Sequence, residues 1–286
     1  MIGQAEAEKA ERRSKRRIGV GIRQALLVSA SALALLPVYA MMTAAFKGQN
    51  DYLAHPLSLP IPPSGAAFAT AVTSGFPRWL ANSVLVAGVS VFATMVFAVL
   101  AAYAFSRMPF PGRGVSFTLM ISLMVVPPIV MLIPLFELMS DLNLVNTYEG
   151  VIVIYAGLML PFSIYLLTSF FNTIPRELLE AGAIDGAGHL RALVSIVLPL
   201  ALPALVTLGI VNLLWAWNEL LIALVLLQDD SKKTLMVGIT IFQSHNNLNV
   251  PVTMAGLLIA TVPVVALYLG GQRFFVRGLA AGAVKE

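Results

Sequence analysis

Six apolar runs, each close to the length that crosses a bilayer, constrain this chain more than any other feature. They cover about 22–46, 82–105, 115–138, 151–171, 202–227 and 252–271. A helix spanning the hydrocarbon core needs about twenty consecutive apolar residues. Of the 286 residues 58% are hydrophobic and 11% charged, against about 25% charged in ordinary soluble domains. The predicted fold is therefore all-α, with six transmembrane helices packed for lipid. Pro127, Pro128 and Pro134 predict kinks in the third helix, Pro161 a break in the fourth, and Pro263 lies inside the sixth. Residues 47–79 form the longest extramembrane loop, and Pro56, Pro60, Pro62, Pro63 and Pro77 argue against continuous helix there.

An even number of crossings puts both termini on one side, and the basic residues say which. Seven lysines and arginines up to Arg23, then Arg107, Arg113, Arg176, Arg191, Arg273, Arg277 and Lys285, fall together, fourteen in all. The opposite side carries four, Lys47, Arg78, Lys232 and Lys233. The positive-inside rule places both termini, and the loop bearing Glu180, in the cytoplasm. Residues 1–21 are then a cytoplasmic basic segment, with Arg12, Arg13, Lys15, Arg16 and Arg17 clustered. The run after it is too long for a signal peptide's apolar core and leads into five more, so it reads as an uncleaved first helix. A net charge of +4 concentrated at that end does not suggest nucleic acid.

Residues 172–200 make a polar-spotted island between the fourth and fifth runs. Pro175 suits a helix's first position, and Glu177 and Glu180 follow where the helix dipole favours acid. Gly186 and Gly188 are expected to end that helix, since glycine takes the left-handed cap conformation cheaply. Leu190, Leu193, Val194 and Val197 then form one stripe at helical spacing. Pro199 and Pro203 punctuate the entry to the next run. The segment reads as helix, sharp turn, helix, lying against the membrane.

This island resembles the cytoplasmic loop of permease subunits from binding-protein-dependent ABC importers. Their pattern is Glu-Ala-Ala, three residues, Gly, nine residues, Ile, one residue, Leu-Pro. It falls here on Glu180, Ala181, Gly182 in place of the second Ala, Gly186, Ile196, Leu198 and Pro199. Asp185-Gly186-Ala187 extends the likeness to the carbohydrate branch. So does Trp217-Asn218-Glu219 in the fifth run. The tail from Gln272 to Lys285 is similar to the ends of maltose-transporter-type permeases.

The resemblance implies a type I importer permease (MetI-like) domain over 22–286. It implies that Glu180, Ala181, Gly182, Asp185, Gly186, Ala187, Ile196, Leu198 and Pro199 couple to an ATPase. The implied partners are a second six-span permease subunit, two ATP-binding subunits and an extracytoplasmic solute-binding protein, in a prokaryotic cytoplasmic membrane. ATP and Mg would enter only through the ATPase subunits.

Nothing in the chain supplies that chemistry itself. It has no Gly-x-x-x-x-Gly-Lys-[Ser/Thr] phosphate loop and no His-Glu-x-x-His metal motif. His55, His189 and His245 are scattered, no nucleophile stands beside a base, and catalytic and metal residues are therefore none. Glu219 is the one acid well inside a run. It faces either a pathway or permease interface, together with Asn218, or a structural hydrogen bond between helices. Gln243, Asn246, Asn247 and Asn249 make the last outer loop amide-rich, suited to sugar hydroxyls or simply to solvent. The expected function is a carbohydrate importer's permease subunit. The alternatives are an ABC permease for another solute and an ion-coupled secondary carrier.

Overall fold

A computed structural model describes residues 2–243 and 249–283, with side chains over 23–242 and 249–271. Gln243's side chain, His245, Asn246, Asn247 and the side chains of the 272–285 tail lie outside what is described. All regular structure among the described residues is helical.

The chain forms two compact units, one of residues 1–70 with 249–258, the other of 71–248 with 259–286. In the first, α1 (Ile2–Ala45) contributes an apolar span over Arg23–Ala45. Leu26, Leu33 and Leu36 are exposed along it, as a lipid-facing helix requires. The chain then turns back on Lys47, which is buried and donates from Nζ to the His55 carbonyl and to Ser58 Oγ. Short helix α2 (Gln49–Ala54) sits inside that turn, and α3 (Ala66–Thr73) follows the proline-rich stretch. Phe46 and Phe68 close the loop with ring centroids 4.9 Å apart.

The second unit is built on α4 (Phe76–Arg107) and α7 (Tyr148–Thr173), its most extensively paired helices. α4 buries a small-residue stripe, Ala87, Ser90, Thr94, Ala98 and Ala102, at helical spacing, which lets two backbones approach closely where lipid gives no hydrophobic drive. The hydroxyls of Ser90 and Thr94 donate to the carbonyls of Val86 and Ser90 at 2.6 and 2.8 Å. α7 packs Tyr155, Met159, Leu167 and Phe171 into the same core. Asn212 Nδ2 on α10 (Leu198–Asn218) reaches Ser163 Oγ on α7 at 2.9 Å, a buried bond between spans.

Prolines act differently from the sequence expectation. α7 runs unbroken through Pro161, which is itself buried beside Met159, Ser163 and Ile164. Packing on neighbouring helices holds the turn despite the missing N–H. The third run does more than kink. It divides into α5 (Arg113–Ser122) with a 3₁₀ turn Leu123–Val125, and α6 (Leu132–Asp141). Pro127 and Pro128 remove two successive donors, and Val126 before them is extended at ψ 116°. Pro134 sits in the first turn of α6, where no N–H is needed. Among the described residues, five helices are long and apolar enough to cross a membrane. The fifth of the expected runs likewise stops early, at Asn218, and resumes as α11 (Leu221–Leu226).

The N-terminal end of α4 holds the loop after α11. Trp79 Nε1 donates to the Asp230 carbonyl at 3.1 Å, and Asn82 Nδ2 to the carbonyls of Ser231 and Lys233 at 2.9 Å. The chain then forms α12 (Leu235–Thr240) and enters α13 (Val250–Ala283).

Candidate coupling loop and intramembrane carboxylate

Pro175, with φ −56° and ψ 138°, caps α8 (Arg176–Ile184) from outside rather than occupying its first turn. At the other end the chain closes a Schellman cap. Gly186 takes φ +79°, its N–H donates to the Ala183 carbonyl at 3.0 Å, and Ala187 N–H to the Gly182 carbonyl at 2.9 Å. Asp185-Gly186-Ala187 is thus the helix stop itself. Gly188 plays another part, since its extended backbone (φ −70°, ψ 171°) caps the next helix, α9 (His189–Ala192).

Gly182 has a second role. A Cβ there would lie 2.7 Å from Ile196 Cδ1, so this position and Ile196 meet across the turn. Four motif positions, Gly182, the adjacent Gly186 and Ala187, and Ile196, meet at one turn. Leu198 is half-buried beside it and Pro199 opens α10. Glu180, Ala181 and Asp185 are exposed; Asp185 belongs to the helix stop as its C-cap residue, while the Glu180 side chain lies outside it.

The expected apolar stripe divides into two faces. Leu193 and Val197 are buried with Tyr103, Phe171 and Ile174, whereas Leu190 is 69% exposed and Val194 56%. Ile184 is 88% exposed. One face fastens the loop to the spans and the other offers apolar surface outward. The five residues Leu193–Val197 form a π-turn, so α9 to α10 run as one apolar helix, His189–Asn218. Arg107, which sequence reasoning passed over, secures the loop's start by donating from Nη2 to the carbonyls of Phe171 and Ile174. An arginine closing a long apolar run was its only signal.

Glu219 ends α10, and its carboxylate caps α11. Oε1 accepts from Ile222 N–H at 2.9 Å, while Oε2 accepts from Ala223 N–H at 3.2 Å and the Tyr155 hydroxyl at 2.6 Å. Tyr155 also meets Trp215 edge to face, 5.4 Å between centroids. Asn218 points elsewhere, exposed and bonded back to the Leu214 carbonyl at 2.7 Å. The two are adjacent in sequence but share no hydrogen-bond partner. Asn249 is likewise a helix cap, its Oδ1 accepting from Val252 N–H at 3.2 Å. Among the described residues no three histidine, aspartate or glutamate side chains gather as metal ligands.

Membrane-length helices with a capped polar helix–turn–helix between two of them define a polytopic membrane protein of the transport class. Residues 94–280 match the family of binding-protein-dependent transport system inner membrane components, and the chain belongs to that family. It is 37% identical over 254 residues to a putative ABC transporter permease protein, ORF2, of Caldicellulosiruptor sp. (88% of this chain, 92% of the relative). The melibiose/raffinose/stachyose import permease MelC of Bacillus subtilis is 33% identical over 252 residues (87% and 91%). The trehalose/maltose transport system permease MalG of Thermococcus litoralis is 37% identical over 214 (74% and 77%). Among solved structures, a bacterial ABC transporter involved in import of the acidic polysaccharide alginate matches with TM-score 0.78 at 25% identity (89% of this chain, 96% of that one). The MetNI methionine ABC transporter matches in fold alone, with TM-score 0.53 at 17% identity (71% and 95%).

Proposed function

We propose that this chain is the permease subunit of an ATP-driven carbohydrate importer. The likeness to MelC and MalG over most of its length supports the solute class. The observation that carries the coupling role is the Schellman-capped loop with an apolar face turned outward. In this reading the broken pair α5 and α6 supplies a sixth crossing, both termini are cytoplasmic, and the loop 172–200 docks on a separate ATPase subunit. ATP and Mg act there, and this chain hydrolyses nothing. A second permease subunit, two ATP-binding subunits and an extracytoplasmic solute-binding protein complete the complex.

The geometry suits a stiff lever. The cap and the Gly182–Ile196 contact hold α8 to α9, Arg107 ties the loop's start and the end of α7 to the end of α4, and one continuous helix leads from His189 to the Glu219 break. ATPase closure that moves α8 would rock that helix between inward- and outward-facing states. An ion-coupled carrier would need Glu219 free to bind and release its ion, whereas its oxygens hold three donors.

The test is uptake of labelled oligosaccharides by vesicles containing the assembled complex, with and without internal ATP. Uptake that survives ATP depletion and collapses with an uncoupler would overturn the importer reading.

A further inference from the structure

Between α8 and the ends of α4 and α5 lies an open cleft of about 520 Å³, bounded by Arg107, Arg113, Arg176, His189 and Tyr103. Among the described residues Glu180 is the only acidic side chain on its wall, beside three guanidiniums. Neither Arg113 nor Arg176 joins an ion pair among the described residues. Arg107 is fixed by its two carbonyl partners, while its Nε is buried without a hydrogen-bond partner. Three guanidiniums lining one cleft favour an anion.

A second cleft, about 410 Å³, adjoins the first and shares Arg113 with it. Phe105, Gly114 and Phe117 give it a mostly apolar surface, the two rings 5.2 Å apart, and Thr168 and Asn172 complete the wall. The level of both is set by the helices. Membrane-length α4 ends at Arg107 and apolar α5 begins at Arg113, so the arginines mark where hydrocarbon gives way to headgroups.

We propose that this double cleft holds one anionic phospholipid, its phosphate among Arg107, Arg113 and Arg176 and an acyl chain against Phe105 and Phe117. A free phosphate, or a carboxylate from a docked protein, would satisfy the arginines but leave the apolar half unfilled. A zwitterionic lipid would bring its own cation toward three guanidiniums, whereas basic residues at this depth attract anionic headgroups. The proposal rests on the membrane-spanning reading and on no solute assignment.

The assembled complex is incorporated in vesicles of phosphatidylcholine with a minor share of phosphatidylglycerol, re-extracted, and its retained lipid counted by mass spectrometry. Phosphatidylglycerol should be enriched over its share in the vesicle. Arg113→Gln with Arg176→Gln should lower that enrichment by roughly fivefold for each guanidinium lost. Arg113→Lys with Arg176→Lys should keep most of it, and this pair decides the matter if the glutamine pair fails to assemble. Lys232→Gln with Lys233→Gln, outside the cleft, should change nothing. Unchanged enrichment in the glutamine pair overturns the proposal. Displacement of the lipid by inorganic phosphate reassigns the cleft to a free anion, and loss of the ATPase with lipid unchanged assigns the arginines to that partner. Lipid is counted without transport, so failure of sugar uptake leaves this readout standing.

Discussion

Tyr155 donates its hydroxyl hydrogen to Glu219 Oε2 at 2.6 Å, joining the first third of α7 to the point where α10 stops. The same oxygen accepts from Ala223 N–H, so one carboxylate caps α11 and pins it to the neighbouring span. A charged acceptor at a helix N-terminus is favoured by the dipole and by the otherwise orphaned amides.

Glu219→Leu removes the cap and leaves the buried Tyr155 hydroxyl unmatched, an expected loss of about 2–4 kcal/mol. Glu219→Gln should cost less, since an amide oxygen still accepts. Tyr155→Phe alone should cost about 1 kcal/mol, and almost nothing more once Glu219 is Leu. Thermal unfolding of the purified complex measures all three. Additive losses would mean that the two side chains act independently. Uptake should fall in the leucine variant while the complex stays assembled.

At Gly186 the backbone angle decides. Any β-carbon at φ +79° meets a left-handed penalty of roughly 1–2 kcal/mol. Gly186→Val is expected to abolish ATP-driven uptake while retaining part of the bound ATPase. Ala187→Ser should do little. Wild-type uptake in the valine variant would make the turn an ordinary connector.

Glu180 is exposed and outside the cap, so its replacement leaves the loop's fold intact. Glu180→Lys should insert normally but lose the ATPase subunits on purification, because charge is reversed at the contact. Full co-purification together with full uptake would remove Glu180 from the docking surface.

Contact between Gly182 and Ile196 makes a paired prediction. Gly182→Ala should be tolerated, since the crowded atom is the mobile end of Ile196. Gly182→Leu should abolish uptake, and Ile196→Ala introduced beside it should restore part. No rescue would show that space at Ile196 is not what the glycine provides.

Charge asymmetry predicts topology. Reporter fusions after Arg113 and after Gly188 should report cytoplasm, and fusions near Ser64 and Asp230 the exterior. A surface signal from the Gly188 fusion would remove the docking assignment with it.

The sequence by itself determined that the chain is helical and membrane-embedded, because runs such as 82–105 leave lipid as the only solvent for their side chains. It also determined the turn at Gly186, since helix-stop chemistry is local: one glycine and two backbone bonds within six residues. Whether a proline kinks, breaks or does nothing was decided by tertiary packing. Pro161 is carried through by buried neighbours, whereas Pro127 and Pro128 together cannot be. The same holds for polar side chains. The string Trp217-Asn218-Glu219 looks like one site, yet Asn218 turns outward while Glu219 meets Tyr155, sixty-four residues earlier. Arg107 reaches the carbonyls of Phe171 and Ile174, 64 and 67 residues further along the chain. Such partners are set by which helices pack together, and no periodicity within a run records that choice.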